Sequence, residues 1–231
     1  MNICGLQKVS LLDYPGLICC TIFTRGCNFC CPYCQNSGLV IPSKYDPLLD
    51  ENKVLEFLKS RIGKLDAVTI SGGEPTLQKD LESFIRKIKD MGYLVKLDTN
   101  GYNPDILKDL VNKKLIDYVA MDIKNSPSKY SLTASVNNLD ISRIKQSIDF
   151  LINGNLDYEF RTTLIKQYHN LDDVKDISLF IKGAKKYYLQ NFKDSEGVIK
   201  KGLNGFTDLE IELFKKEFIK HGTLCLIRGK D

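Results

Sequence analysis

Four of the chain's eight cysteines fall in one short segment, Cys27-Asn28-Phe29-Cys30-Cys31-Pro32-Tyr33-Cys34. The others are Cys4, Cys19, Cys20 and Cys225. A reducing compartment keeps thiols free, so this clustering points to metal binding or redox work and not to covalent stapling. Adjacent pairs such as Cys19-Cys20 and Cys30-Cys31 are also poor partners for local bridges. Three readings compete. Cys27-x-x-Cys30 with Cys31-x-x-Cys34 could form a four-thiolate zinc knot. Structural zinc usually draws its two ligand pairs from separate segments, however, and four ligands this close leave a tetrahedron little freedom. A Cys-x-x-Cys redox pair is the second reading. The third is Cys27-x-x-x-Cys31-x-x-Cys34: three thiolates hold three irons of a four-iron cluster and leave the fourth iron open to a substrate. The spacing favours this third reading, in which Cys30 is a bystander.

Other polar groups recur along the chain: Ser71-Gly72-Gly73-Glu74-Pro75, Asp98-Thr99-Asn100-Gly101, Asp122 with Lys124, Arg161, and Gln190-Asn191. Each has a plain alternative. Gly-Gly-Glu-Pro and Asn-Gly are common turn sequences, and an isolated Lys or Arg is usually a surface charge. Taken together they suggest a ligand. Two glycines permit close backbone approach. Glu74 can accept from an ammonium, Lys124 and Arg161 can meet a carboxylate, and Asp98 and Asp122 can take ribose hydroxyls or a cation. The implied ligand is zwitterionic, with an amino group, a carboxylate and a sugar.

The elements that must position these groups alternate. Strands are expected at Leu17–Thr24, Ala67–Ile70, Tyr93–Asp98, Asp117–Ile123, Leu156–Leu164 and Tyr187–Phe192, with a last one at Thr223–Arg228. Between them lie helical patterns at residues 50–62, 77–91, from Asn103-Pro104 through Val111, 139–153 and Val174–Ile181. Thr207-Asp208-Leu209-Glu210 matches a capping box before a helix to about His221. Alternating β and α elements predict a parallel sheet with helices outside, an α/β fold of about six units. A complete eight-fold barrel averages about 250 residues, so 231 fit a partial (β/α)6 TIM-like barrel better. Parallel strands buried on both faces account for the apolar runs. Functional residues are then expected at strand C-terminal ends, where each of the polar groups falls. Six groups on one rim are hard to explain by turns alone. Residues 125–138 and 193–205 are the candidate flexible loops.

With 43% hydrophobic and 27% charged residues the chain is neither disordered nor fibrous. One domain over residues 1–231 is expected, with an N-terminal extension (1–16), a core (about 17–192) and a C-terminal helix and strand (about 193–231). A net charge of +4, scattered in pairs such as Lys113-Lys114 and Lys200-Lys201, gives no concentrated patch for nucleic acid. The apolar run Leu17–Phe23 is far shorter than the ~20 residues that span a bilayer, and the N-terminus does not read as a signal peptide. The expectation is a soluble, cytoplasmic protein with no membrane or nucleic-acid partner.

Cys27-x-x-x-Cys31-x-x-Cys34 with Tyr33 before the last cysteine, followed by Gly72-Gly73-Glu74-Pro75, resembles the radical S-adenosylmethionine (SAM) superfamily. Asp98-Thr99-Asn100-Gly101 and Asp122-Ile123-Lys124 are similar to its glycyl-radical-enzyme activases. Ser10-Leu11-Leu12-Asp13-Tyr14-Pro15-Gly16, Arg25-Gly26-Cys27-Asn28-Phe29 and Glu159-Phe160-Arg161-Thr162-Thr163 most resemble the branch of anaerobic ribonucleoside-triphosphate reductase activating proteins. The resemblance covers residues 5–192 or so. It implies a [4Fe-4S] cluster held by Cys27, Cys31 and Cys34, with the open iron chelating the methionine end of SAM. It places Tyr33 by the adenine, Gly72, Gly73 and Glu74 at the amino end, and Asp98, Asp122, Lys124 and Arg161 at the polar and ribose parts. It further implies a monovalent cation bordered by Asp98, Thr99, Met121 and Asp122. Cys30 stands where relatives more often carry a basic or polar residue.

The implied reaction is reductive cleavage of SAM to methionine and a 5′-deoxyadenosyl radical, which needs the low end of iron–sulfur potentials, near −700 mV. The electron donor is then a low-potential protein such as ferredoxin or flavodoxin. In the activase reading the radical takes a hydrogen from a glycine of a partner glycyl radical enzyme, such as anaerobic ribonucleotide reductase. Activases with ferredoxin-like inserts carry extra cysteines after the first loop, whereas residues 35–71 contain none. Two alternatives are radical chemistry on a small molecule, such as a modified-nucleobase precursor, and a zinc- or iron–sulfur-binding interaction module.

Overall fold

The computed structural model describes residues 1–229. They fall into two compact units, the first made of Met1–Asn28, Asn36–Thr99 and Asn103–Ala120, the second of Phe29–Gln35, Asn100–Tyr102 and the chain from Met121 onward. Among the described residues no helix is long and apolar enough to cross a membrane.

The first unit runs β1 (Ile3–Ser10), β2 (Cys19–Thr24), α1 (Ser37–Val40), α2 (Glu51–Ser60), β3 (Ala67–Gly72), α3 (Leu81–Asp90), β4 (Leu94–Thr99), α4 (Pro104–Asn112) and the start of β5 (Tyr118–Asp122). β2, β3 and β4 are parallel, with Cys19 level with Ala67 and Ala67 level with Leu94. Successive residues of a strand face opposite ways. Cys20, Ile22, Val68, Ile70, Val95 and Leu97 make one fully buried apolar face, complementing the buried stripe Leu81, Phe84, Ile85 and Ile88 of α3. The opposite face carries Thr21, Thr69 and Lys96, which are buried but polar. That face also carries Cys19 and Ala67, which pack with Tyr14 and Tyr118, so both faces are buried as expected, one of them with polar groups among its apolar ones. Asp13 satisfies two of those polar groups: its Oδ2 accepts from the Thr21 hydroxyl at 2.6 Å and its carbonyl from Thr69 at 3.5 Å.

β1 was not expected as a strand. It pairs antiparallel with β2, with irregular register between Ile3 and Gly5 and between Gln7 and Ser10. These irregularities break the two-residue alternation that would have marked it. Gly5 lets β1 lie against Phe23, because a Cβ there would meet the Phe23 ring at 3.0 Å.

The second unit holds the end of β5, α5 (Tyr130–Ala134), α6 (Ile141–Asn153), β6 (Asp157–Leu164), α7 (Leu171–Phe180), β7 (Lys186–Asn191), α8 (Asp208–Lys220) and β8 (Leu224–Arg228). β6, β7 and β8 are parallel, and the Ile123 N–H donates to the Arg161 carbonyl at 2.8 Å beyond the end of β5. Phe160, Leu164, Tyr187, Leu189 and Cys225 are buried, and Tyr187 stacks on Phe218 of α8 at 4.2 Å. The capping box at Thr207 and Glu210 is present and starts α8 where expected. Asn170 and Asp173 make a second one at α7. The candidate loop 125–138 contains α5, whose Tyr130 is fully buried.

Candidate active site

In the first unit the glycines after β3 serve the chain's own close approach. Gly72 has φ +120°, and a Cβ on Gly73 would lie 2.0 Å from the Gly26 carbonyl oxygen. The Gly73 N–H donates to the Thr24 carbonyl at 2.9 Å and the Glu74 N–H to the Gly26 carbonyl at 2.8 Å. Gly72 and Gly73 thus fasten the end of β3 to the segment that leads into Cys27. The Glu74 side chain is fully buried, and its Oε1 accepts from Thr76 N–H (3.1 Å), Thr76 Oγ1 (2.6 Å) and Thr99 Oγ1 (2.8 Å). That oxygen is committed to joining β4 to the 3-10 turn Pro75–Leu77.

Asp98 has a partner the sequence reading missed. Lys96 Nζ lies 2.5 Å from Asp98 Oδ1, and Ser71 Oγ donates to Asp98 Oδ2 at 3.0 Å. The Lys96 side chain is only 2% exposed. Its signal was a lysine inside an apolar strand, two residues before an aspartate and so on the same face.

In the second unit Cys31 and Tyr33 are buried and Cys34 is half-buried. The loop is tethered at several points. The Cys34 N–H donates to the Cys31 carbonyl at 2.9 Å and the Cys30 N–H to the Ala134 carbonyl at 3.0 Å. The Phe29 ring packs on Tyr102 and Tyr130. Burial pushes the Cys31 thiol up to about 11, although the nearby Lys124 ammonium opposes the rise. The Tyr33 hydroxyl is buried next to the Cys31 sulfur, and a hydrogen bond between them works against the rise of that thiol.

Asp122, Lys124 and Arg161 converge in this unit. Asp122 Oδ2 accepts from Lys124 Nζ at 3.0 Å and Oδ1 from Arg161 Nε at 2.5 Å. Burial alone would raise the Asp122 carboxyl, but the two cations outweigh it and hold it well below the usual carboxylate range. Burial likewise works against the Lys124 charge, and Asp122 keeps it protonated. The backbone between them is fixed as well: the Tyr130 hydroxyl donates to the Asp122 carbonyl at 3.3 Å, and His169 Nε2 lies 3.0 Å from the Lys124 carbonyl. Two cations thus share one carboxylate, a pairing that fixes the direction of both their side chains.

Other expected residues have structural tasks. The Asn100 side chain accepts from the Tyr102 N–H at 3.0 Å, and Gly101 has φ +73° where a Cβ would strike Met121. The Asn191 amide bridges the Phe206 N–H and carbonyl, each at 2.8 Å. A further pair was missed: Arg228 grips fully buried Glu159 through two bonds, at 2.5 and 2.8 Å, with its guanidinium 3.7 Å from the Tyr188 ring centre. Of the residues expected around a monovalent cation, Asp98 and Thr99 belong to the first unit and Met121 and Asp122 to the second. Both carboxylates already carry lysine or arginine partners.

The eight cysteines are not joined in disulfides, and Cys19, Cys20 and Cys225 are core residues. Among the described residues no three His, Cys, Asp or Glu side chains converge on a single-ion site. A cubane takes one thiolate per iron and asks for no such convergence. The donors present therefore fit such a cluster: thiols at the three-ligand spacing, a tethered loop and a cationic Lys124 near Cys31.

Comparison with known proteins adds independent observations. The profile of the Radical SAM superfamily matches residues 21–186. A Methanocaldococcus jannaschii protein, provisionally named a glycyl-radical enzyme activating enzyme, is 36% identical over 197 residues, which is 83% of this chain and 80% of its own length. A GTP 3′,8-cyclase of Campylobacter jejuni is 34% identical over 174 residues, 68% of this chain but 48% of the cyclase. The crystal structure of a radical SAM methyltransferase from Sphaerobacter thermophilus matches with a TM-score of 0.70 at 12% identity, covering 93% of this chain and 67% of that one. At that identity the likeness shows the fold alone.

Proposed function

The chain belongs to the radical SAM superfamily, a membership that implies a [4Fe-4S] cluster and SAM, and on that premise we propose that it activates a glycyl radical enzyme. The observation that carries this reading is the extent of the match to the M. jannaschii protein named for that activity: 36% identity over most of both chains. The match to the cyclase leaves about half of that enzyme uncovered.

In this reading Cys27, Cys31 and Cys34 hold the cluster, which supplies the low-potential electron that cleaves SAM to a 5′-deoxyadenosyl radical. Lys124 balances the negative charge of the Cys31 thiolate. Lys124 and Arg161, both oriented by Asp122, offer N–H donors to the SAM carboxylate. Tyr33 borders the adenine. Gly72 and Gly73 set the approach of the β3 end to the segment before Cys27, and Glu74 holds that shape from within. Asp98, oriented by Lys96 and Ser71, serves the ribose end. The hydrogen donor is a glycine Cα of the partner, with anaerobic ribonucleotide reductase the first candidate and ferredoxin or flavodoxin the electron source.

The test is anaerobic reconstitution followed by incubation with reductant, SAM and candidate partner enzymes. A doublet electron paramagnetic resonance signal on the partner, dependent on SAM, supports the proposal. Turnover of a small molecule with no partner radical overturns it in favour of the small-molecule reading.

A further inference from the structure

The polar segment after β7 reads as a solvated loop, yet it lies along the cysteine loop. The Ile199 N–H donates to the Cys34 carbonyl at 3.0 Å and the Lys200 N–H to the Pro32 carbonyl at 2.8 Å. At the other end of the segment, Gln35 Nε2 donates to the Lys193 carbonyl at 2.8 Å. The fit depends on a glycine: a Cβ on Gly197 would lie 2.1 Å from the Gln35 carbonyl oxygen, a backbone atom that cannot swing aside. Val198 is buried. Lys201 closes the segment on itself, its Nζ donating to the Ser195 carbonyl at 2.6 Å and the Glu196 carbonyl at 3.1 Å. Three contacts thus span Pro32–Gln35, the stretch that carries Cys34.

We propose that Gly197–Lys201 is a positioning strap that holds the Cys31–Cys34 half of the cysteine loop in its ligand-ready shape before any cluster is present. This inference rests on the cluster reading above. The strap contributes no thiol ligand of its own. It acts by denying the loop the alternative conformations in which a thiolate released from the cluster would swing away. Ordering a ligand loop in advance removes an entropic cost from binding and slows release. Cluster retention in this chain should therefore depend on residues more than 160 positions from the cysteines in sequence.

The test uses the full chain with Gly197→Ala and, separately, Lys201→Met. Lys201 is exposed, so its replacement leaves the core intact even where Gly197→Ala folds poorly. Three readouts are taken: hydrogen exchange of the Ile199 and Lys200 amides in cluster-free protein, the rate at which a chelator strips iron from reconstituted protein, and the spectrum of the reduced cluster. Two neutral backbone bonds set the scale at about 5- to 100-fold faster iron loss for Gly197→Ala, and about 3-fold for Lys201→Met. The two amides should be protected in cluster-free wild type. Both variants should broaden or shift the cluster signal, and with Lys201→Met the melting temperature of the cluster-free protein should stay near wild type, which a purely structural role would not produce. Unprotected amides, or iron loss and spectra equal to wild type in both variants, overturn the strap. A wild type that takes up no iron while its amides are protected overturns the functional reading itself, and the strap's role with it.

Discussion

Replacing Asp122 by asparagine removes the carboxylate that Lys124 and Arg161 share. Its bonds to Lys124 (3.0 Å) and Arg161 (2.5 Å) are both charge-assisted. Such bonds contribute about 1.5–3 kcal/mol each, so the pair contributes about 3–6 kcal/mol. Leaving the Lys124 ammonium without that carboxylate adds a cost of up to about 3–5 kcal/mol. The three side chains keep 29%, 17% and 15% of their exposure, so water screens part of this. The expected loss for Asp122→Asn is about 3 kcal/mol, or about 6–12 °C in melting temperature for a chain of this length. The pH dependence has a definite sign. A carboxyl whose folded pKa is depressed contributes fully above its unfolded pKa of about 4 and loses that contribution as the pH falls. Wild type should therefore lose stability more steeply than Asp122→Asn from about pH 5 downward. Urea unfolding of cluster-free protein measures both, and Lys124→Met added to Asp122→Asn should restore at least about 1 kcal/mol by relieving the stranded charge. A single-variant loss under about 1 kcal/mol, or no recovery in the double variant, refutes the reasoning.

Gly73→Ala should cost about 2 kcal/mol or more, because its Cβ meets the Gly26 carbonyl; a thermal melt equal to wild type would contradict that close approach. Arg228→Met should cost about 3 kcal/mol by removing both charge-assisted bonds to the buried Glu159 carboxylate, and adding Glu159→Gln should recover part of it in urea titrations. Cys31→Ala should lose the cluster whereas Cys30→Ala keeps it; iron and sulfide content decides, and equal loss in both would refute the ligand assignment.

Much of the fold could be read because its strands and helices advertise themselves. Ala67–Ile70 is a compact apolar run between helical patterns and forms the body of β3, and Thr207 with Glu210 marks the start of α8. β1 escaped notice because two register irregularities scramble its alternation, and Gln7 and Lys8 are exposed. Lys96 escaped because a buried lysine is legible only once its partner Asp98 is placed on the same strand face. The residues 193–205 misled for a different reason. Lys193-Asp194-Ser195-Glu196 are solvated side chains, while the bonds made by Ile199 and Lys200 use backbone groups that every sequence carries. Glu74 shows the same gap: its type marks the motif, but only the structure shows one oxygen taking three donors.

The central claim is tested most directly by product analysis. Protein reconstituted without oxygen is given SAM and a strong reductant, and 5′-deoxyadenosine and methionine are quantified. The account predicts both in equal amounts, with about four irons per chain, and none from Cys31→Ala. Intact SAM under strong reductant, or a chain that takes zinc in preference to iron, would contradict it.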